Sequence, residues 1–339
     1  MGKFTATLIF VSFILIVPVF SQANKASSLL DSSSKIHFRI NYQGFFDNRE
    51  FNQVENQTPT TFFGHRFDIS GTYSVDSSLS LVLGINPLQE FGSEILFTSI
   101  QKSAFIQKNT KKHQFLFGSF PRTHVLKEIP RALFSDTISY YRPNITGLSH
   151  LFNTKRSEFG SWFDWTAQKS ETQREHFFLG FYAKTSIKKI SFLFFANLSH
   201  LANTSSRVTQ KPLEESLMTQ SKVRYSLQVS SFCSYQSSIS LLHSLERIRN
   251  GSPLRNASSI LFENQLSFPY IELTHTLKKG EGHFIYSGDP FYRYTDYARL
   301  DIALRPRKPS KLSIQGIYSL HFMEGRAIHQ QKIGIYLKN

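Results

Sequence analysis

The segment between residues 120 and 147 holds the densest set of side chains that could do chemistry. It contains Arg122, Arg131 and Arg142, the acid Asp136 and three prolines. Prolines suit turns and irregular backbone, and guanidinium groups gathered in a narrow passage favour anions. The segment therefore predicts one of two structures. The four charged residues form an anion-selective constriction, or they belong to a loop held by internal ion pairs.

Sequence motifs of familiar catalytic centres are absent. The chain has no His-Glu-x-x-His, no Gly-x-Ser-x-Gly and no P-loop lysine pattern, and its 12 histidines show no metal-ligand spacing. With one cysteine, the chain can form neither an internal disulfide nor a cysteine-based zinc site. We therefore predict that the protein binds no cofactor and no metal and is not an enzyme. A Ser/His lipid hydrolase built into a barrel wall would, however, leave no local motif.

The first 21 residues predict a secretory signal peptide. Lys3 gives the positive start, residues 8–17 give an apolar run, and Ser21 precedes the expected cleavage before Gln22. The apolar run falls short of the ~20 residues that a membrane-spanning helix needs. We therefore expect an exported chain over residues 22–339.

Apolar and polar residues alternate along most of the exported chain. The pattern is clear in residues 36–43, 67–75, 224–230, 298–305 and 312–322. Such alternation is typical of β-strands, and helical stripes are scarce. The sequence therefore predicts an all-β protein. Either a soluble sandwich buries the apolar faces, or a transmembrane barrel turns them to lipid.

The lengths of the strands and their connections favour the barrel. Strands of about 9–14 residues match a tilted crossing of the bilayer. Long connections such as 47–61, 201–219 and 279–296 alternate with short ones such as 76–78 and 188–189. Bacterial outer-membrane barrels show this alternation, with short turns on the periplasmic side.

The alternation holds throughout if residues 120–157 contain one further strand, for which residues 136–141 are the best candidate. The count is then about 16 antiparallel strands, with 14 as the competing count. We expect one barrel over residues 22–339, within which residues 120–157 can fold inward and narrow the lumen.

The basic charge is spread along the chain. Lys and Arg exceed Asp and Glu by 39 to 24, a net charge of +15, with no basic block or recognition module. This spread argues against nucleic-acid binding. If the polar face lines a lumen, its balance is cationic and favours anionic or polar solutes, unless the charges pair with one another. The predicted lumen-facing charged residues are Arg39, Asp68, Arg224, Arg299, Asp301 and Arg305.

In its organisation the chain resembles porin-like outer-membrane β-barrels of the Bacteroidota type. The residues that carry the resemblance are Ser21-Gln22, Phe120-Pro121-Arg122, Tyr141-Arg142-Pro143-Asn144, the run 160–165 and Gly288-Asp289-Pro290-Phe291-Tyr292. The resemblance implies an outer-membrane location. The chain departs from the usual pattern at its end, where Tyr336 lies further from the last residue than the terminal aromatic of many such barrels.

Three hypotheses follow. The first is a porin-like barrel that passes small polar or anionic solutes by diffusion, with outer-membrane lipid and the barrel-assembly machinery as its partners. The second is a closed outer-membrane barrel with a catalytic role, as a lipid or glycan hydrolase, or an adhesive role at its outer face. The third is a soluble secreted β protein.

Overall fold

The computed structural model describes residues 35–52, 54, 57–204, 211–249, 252–285, 287–305 and 311–338. The predicted signal peptide, residues 1–21, lies outside the described residues. Among the described residues, no helix combines the length and apolar character that a membrane span requires.

Sixteen strands make up the described structure. They are β1 (Ile36–Arg49), β2 (Thr60–Ser74), β3 (Leu79–Glu90), β4 (Ser99–Asn109), β5 (His113–Pro121), β6 (Asn144–Asn153), β7 (Ser157–Ala167), β8 (His176–Ile187), β9 (Ile190–Leu201), β10 (Glu214–Gln228), β11 (Ser234–Ile248), β12 (Arg255–Ser267), β13 (Ile271–Gly280), β14 (Asp296–Leu304), β15 (Leu312–Met323) and β16 (Arg326–Lys338). The helices are α1 (Ile138–Tyr141) and two 3₁₀ turns, Arg122–His124 and Pro290–Arg293.

The strands form one closed antiparallel barrel in sequence order. It closes where β1 pairs with β16, from Asn41 opposite Lys338 to Arg49 opposite Gln330. Closure satisfies the backbone groups that an open sheet edge would leave unpaired. The prediction of a transmembrane-type β-barrel is confirmed, with 16 strands rather than 14.

The outward face of the wall is apolar. Phe38 and Phe117 are 68% and 66% exposed, and Leu83 points outward between inward Val82 and Gly84. In water such a surface would be unfavourable, but in a bilayer it meets hydrocarbon. The alternation seen in the sequence therefore places apolar side chains toward lipid.

The two ends of the barrel differ in their connections. One end carries short turns, such as 75–78, 110–112 and 188–189, together with the described start of β1 and end of β16. The other end carries longer connections, and its exception is the tight hairpin Glu324-Gly325 between β15 and β16. By the pattern of outer-membrane barrels, the short-turn end faces the periplasm and the long-loop end faces outward.

Two long connections fold into the barrel. The first inward segment, residues 122–143, and the second inward segment, residues 281–285 and 287–295, meet where Ser135 N donates to Ser287 O over 2.7 Å. Leu133 and Phe134 of the first segment and Phe291 of the second are buried in one apolar cluster. The inward wall residues of this cluster include Leu116, Phe120, Trp162, Met218, Leu242 and Leu261. The middle of the lumen is therefore a packed core.

The strand predicted for residues 136–141 is wrong. Residues 138–141 form α1, and the further strand is β6, which begins at Asn144. In α1 the ring of Tyr140 stacks on Phe45 of the wall, with ring centres 4.5 Å apart. Packing against the wall thus overrides the strand propensity of Ile and Tyr.

Candidate active site

The arginines of the first inward segment anchor it to the wall. Arg122 donates to Asp164 of β7 over 2.6 Å, and both side chains are buried. Arg142 donates to the backbone oxygen of Thr166 over 2.7 Å. Both contacts reach the same wall strand, so the end of the first inward segment is fixed against β7.

Arg131 and Asp136 belong to a second ionic network. Arg131 lies 3.4 Å from Asp136 and 3.3 Å from Asp301 of β14, and Arg299 lies 2.6 Å from Asp301. Lys332 of β16 also contacts Asp136. Each acid lies between two cations, so the network joins the first inward segment to the wall.

The other predicted lumen charges also have partners. Arg39 lies 3.9 Å from Asp68, and Arg305 contacts Glu272. Arg224 contacts Glu128 of the first inward segment, which also lies 3.5 Å from Lys222. Burial raises the pKa of Glu128, but the two cations outweigh this effect and hold the pKa below its usual value. These pairings offset much of the cationic excess of the inward face.

A serine, a histidine and a threonine form a hydrogen-bonded chain on three adjacent strands near the long-loop end. Ser199 Oγ of β9 lies 2.9 Å from His176 Nε2 of β8. His176 Nδ1 lies 2.6 Å from Thr166 Oγ1 of β7, whose hydroxyl donates to the His176 backbone oxygen over 2.9 Å. A hydroxyl has one proton, so Nδ1 must donate to Thr166. Nε2 is then the acceptor facing Ser199, as nucleophilic catalysis requires.

A bulge in β7 aims Thr166 at the histidine. Trp165 pairs with Phe177 and Ala167 pairs with His176, so Thr166 is an extra residue between two ladder pairs. Such bulges redirect a side chain and recur next to active sites. On the neighbouring strand, Ser199 is opposite Phe178, one same-face step beyond His176.

Ser199 lines a cavity of about 310 Å³ at the long-loop end. The guanidinium carbons of Arg255 and Arg293 lie 3.6 Å and 5.8 Å from the centre of the Phe284 ring. Arg247 and the acids Glu214, Glu215 and Glu246 complete the charged lining. The cavity thus joins a potential nucleophile to cations that can hold an anionic group.

A buried amide lies beside the serine. Asn197 precedes Ser199 by two residues and shares its inward face. Among the described residues, neither amide atom of Asn197 has a hydrogen-bond partner. Same-face neighbours on a strand are about 7 Å apart, so a substrate carbonyl bound between them could accept from the amide.

A second serine–histidine contact lies on β11, β12 and the second inward segment. His283 Nδ1 is 2.8 Å from Ser244 Oγ, and its Nε2 is 2.7 Å from Ser259 Oγ. Burial, with a smaller contribution from Lys278, lowers the pKa of His283 to about 4. Neither serine lines the cavity beside Ser199, so this contact better suits holding the segment in place.

Sequence reasoning missed Thr166, His176 and Ser199. The separations of 10 and 23 residues follow from hairpin lengths and match no local motif. These three residues could be found only from the structure. Once the strand ends and the register are known, the polar residues at the long-loop ends of β7, β8 and β9 are seen to be neighbours.

Comparison with solved structures identifies the fold. OpdL of Pseudomonas aeruginosa aligns with a TM-score of 0.59 and 8% identity over 89% of this chain and 99% of that chain. A loop L8 deletion mutant of OmpT, an outer membrane protein of Vibrio cholerae, gives 0.58 and 9% over 90% and 100%. OprD of Pseudomonas aeruginosa gives 0.54 and 8% over 90% and 95%. At these identities the likeness concerns the fold.

The molecule is therefore a β-barrel of the bacterial outer membrane, with its outward face in contact with lipid. The model of the Lipid A 3'-O-deacylase-type family matches residues 26–336. The chain belongs to this family. No curated protein matches it. The sequence-based prediction that the protein is not an enzyme is wrong, because the family is named for a deacylase activity and its model covers nearly the whole chain.

Proposed function

We propose that this protein is an outer-membrane esterase that removes an ester-linked acyl chain from lipid A, with Ser199 as nucleophile. Membership of the deacylase family supports the reaction class. The observation that carries the assignment to these residues is the 2.9 Å contact between Ser199 Oγ and His176 Nε2 beside the outer cavity.

The proposed reaction follows from the proton positions. Ser199 Oγ attacks the ester carbonyl while its proton passes to His176 Nε2, and Asn197 donates to the developing oxyanion. As the carbon–oxygen bond to the sugar breaks, His176 returns that proton to the leaving hydroxyl. Water then attacks the acyl-serine, giving one proton to His176. The fatty acid leaves and Ser199 regains its proton.

Thr166 is the positioning residue of this site. Its oxygen accepts from Nδ1 of His176 and so selects the tautomer in which Nε2 can accept a proton. The contact of Arg142 with the Thr166 backbone oxygen links that position to the first inward segment. A neutral hydroxyl stabilises a charged imidazole less than a carboxylate would, so we expect a slow enzyme.

The arginines that line the cavity beside Ser199 suit a phosphorylated glycolipid. Arg255 and Arg293, held on Phe284, are placed to bind a phosphate at the opening of the cavity. Lipid A combines phosphate groups with esterified acyl chains and occupies the outer leaflet, at the level of the long-loop end. The two arginines at Phe284 and the position of the cavity therefore support this substrate class.

Passive transport was the first hypothesis from the sequence, and the packed lumen favours the enzymatic alternative. The apolar side chains of both inward segments pack against inward wall residues at the middle of the barrel. Planar-bilayer recordings test this point, because a porin gives steady conductance steps. The Bacteroidota origin and dependence on the barrel-assembly machinery stay predictions.

The deciding experiment is acyl release from lipid A, followed by mass spectrometry, with the purified barrel in detergent. We expect Ser199→Ala and His176→Gln to lower the turnover at least ~10³-fold, since loss of a nucleophile or its base removes most covalent catalysis. Ser259→Ala is the matched control, because Ser259 also contacts a buried histidine.

Full activity in Ser199→Ala would refute the assignment of the nucleophile. If Ser259→Ala were inactive instead, the second serine–histidine contact would be the active site. An inactive wild type on lipid A, with release of fatty acid from other esters, would refute the substrate class.

A further inference from the structure

A second cavity, of about 380 Å³, lies between the first inward segment and the wall. It reaches Lys338 at the short-turn end, away from Ser199 and the outer cavity. Its lining includes the wall residues Arg66 and Asn86, and Arg122 and Ser139 of the first inward segment. The cavity thus has polar walls on both sides.

Arg66 brings a buried positive charge to this cavity. It is 4% exposed, and its Nη2 donates to the backbone oxygen of Tyr140. Among the described residues, no acceptor meets its Nε or Nη1, and no carboxylate lies within ion-pair distance of it. The nearby acid Asp68 contacts Asn41 and Arg39 instead.

Arg122 is the second arginine in the lining of this cavity. Its Nη2 donates to Asp164 and to the Asn144 oxygen, and its Nε donates to the Arg142 oxygen. Within the part of the chain that the structure describes, Nη1 has no acceptor. Two arginines, both nearly excluded from solvent, therefore line one cavity. Each has at least one guanidinium N–H group for which the described residues provide no acceptor.

Burying an uncompensated cation is strongly unfavourable, whereas a bound anion would compensate it. Guanidinium forks match the spacing of phosphate oxygens and bind them with paired, charge-assisted hydrogen bonds. Asp68, the acid in the lining, already has a cation near it. The net charge facing the cavity from Arg66 and Lys338 is therefore available to a ligand.

We propose that this cavity is a phosphate-binding site in which Arg66 and Arg122 hold the phosphate group from the wall and from the first inward segment. The site is separate from the proposed esterase site and does not depend on that function. Its phosphate comes from free inorganic phosphate on the periplasmic side or from the head group of an inner-leaflet lipid, since the lining of the cavity includes Lys338 at the short-turn end.

The test is a ³¹P NMR titration of the full barrel, purified in an uncharged and phosphate-free detergent, with inorganic phosphate as the probe. We expect saturable binding at one site, at least tenfold weaker in Arg66→Gln. Arg305→Gln is the matched control. It removes one lumen-facing charge, but Arg305 pairs with Glu272 and does not line this cavity. Its affinity should match the wild type.

Two results of the titration would contradict the phosphate site. Absence of saturable binding to the wild type, or equal weakening by Arg66→Gln and Arg305→Gln, would overturn the proposal. If Arg66→Gln fails to fold, Arg66→Lys replaces it, because lysine keeps the charge but loses the fork and should bind phosphate more weakly. Competition by short-chain phosphatidic acid would assign the site to a lipid head group, and binding without such competition to free phosphate.

Discussion

Replacing Asp164 by asparagine should destabilise the barrel by about 3–5 kcal/mol, the usual effect of breaking a buried ion pair from one side. Asp164 and Arg122 are 3% and 2% exposed, and their closest atoms are 2.6 Å apart. Solvent therefore screens this pair very little. Asparagine keeps the volume of the side chain, so the loss of stability reflects the replacement of a carboxylate by an amide and not the creation of a cavity.

The hydrogen-bond geometry supports this magnitude. Asp164 accepts from the Thr146 backbone N over 3.0 Å through its other oxygen, and the oxygen of asparagine can keep that bond. The amide nitrogen would then face Arg122, placing donor against donor. The variant thus leaves a buried guanidinium without its anion and adds no compensating contact.

The assay is equilibrium unfolding in guanidinium chloride, followed by tryptophan fluorescence. The chain has two tryptophans, and both, Trp162 and Trp165, lie on β7 with Asp164. Lys127→Gln is the control, because Lys127 pairs with Glu158 of the same strand over 3.5 Å but is 74% exposed. Such a pair is worth about 0–1 kcal/mol. Equal, small effects of both substitutions would show that Arg122 and Asp164 do not anchor the segment.

Two further substitutions test the packing and the second inward segment. Gly180→Ala should destabilise the barrel by about 1–3 kcal/mol, because the new Cβ would lie 1.9 Å from the Trp162 ring. Gly316→Ala should be neutral in the same unfolding assay, because the new Cβ would lie 4.0 Å from the Lys332 backbone oxygen, and equal effects of the two substitutions would contradict this packing. Burial lowers the pKa of His283 in the folded chain to about 4, below the ordinary histidine value of 6.5. The unfolded chain therefore binds the proton first, and stability should fall by up to about 3 kcal/mol as the pH drops from 6.5 to 4. His283→Gln should flatten that part of the pH profile, and an unchanged slope would refute the assignment.

The architecture could be predicted from the sequence because the bilayer imposes one rule on every strand. Wherever one face meets lipid and the other is polar, the period of two is visible, as in residues 36–43 and 298–305. The rule fails at β6. There Ile145 and Leu151 point into the packed core while Leu148 points outward, so both faces are apolar. The alternation is lost, and residues 136–141 compete as a strand.

The candidate site was harder to predict, because its residues come from register rather than from sequence order. A one-residue slip between β8 and β9 would turn Ser199 away from His176. Thr166 reaches the histidine only through a bulge, which no alternation pattern contains. Arg122 and Arg142 stood out as a charge cluster, yet their partners Asp164 and Thr166 depend on how the inward segment folds.

The filled lumen links the two functional hypotheses that the sequence left open. Inward Leu116 and Leu242 belong to one buried apolar cluster with residues of both inward segments, and close-packed interiors hold side chains in single conformations. A hydrolytic site on neighbouring strands needs such rigid support, because a misplacement of 1 Å can abolish most of its activity. Removing the inward segments would open a passage and loosen the wall behind Trp162 and Ser199 at once. Steady conductance and ester hydrolysis should therefore be mutually exclusive properties of this barrel.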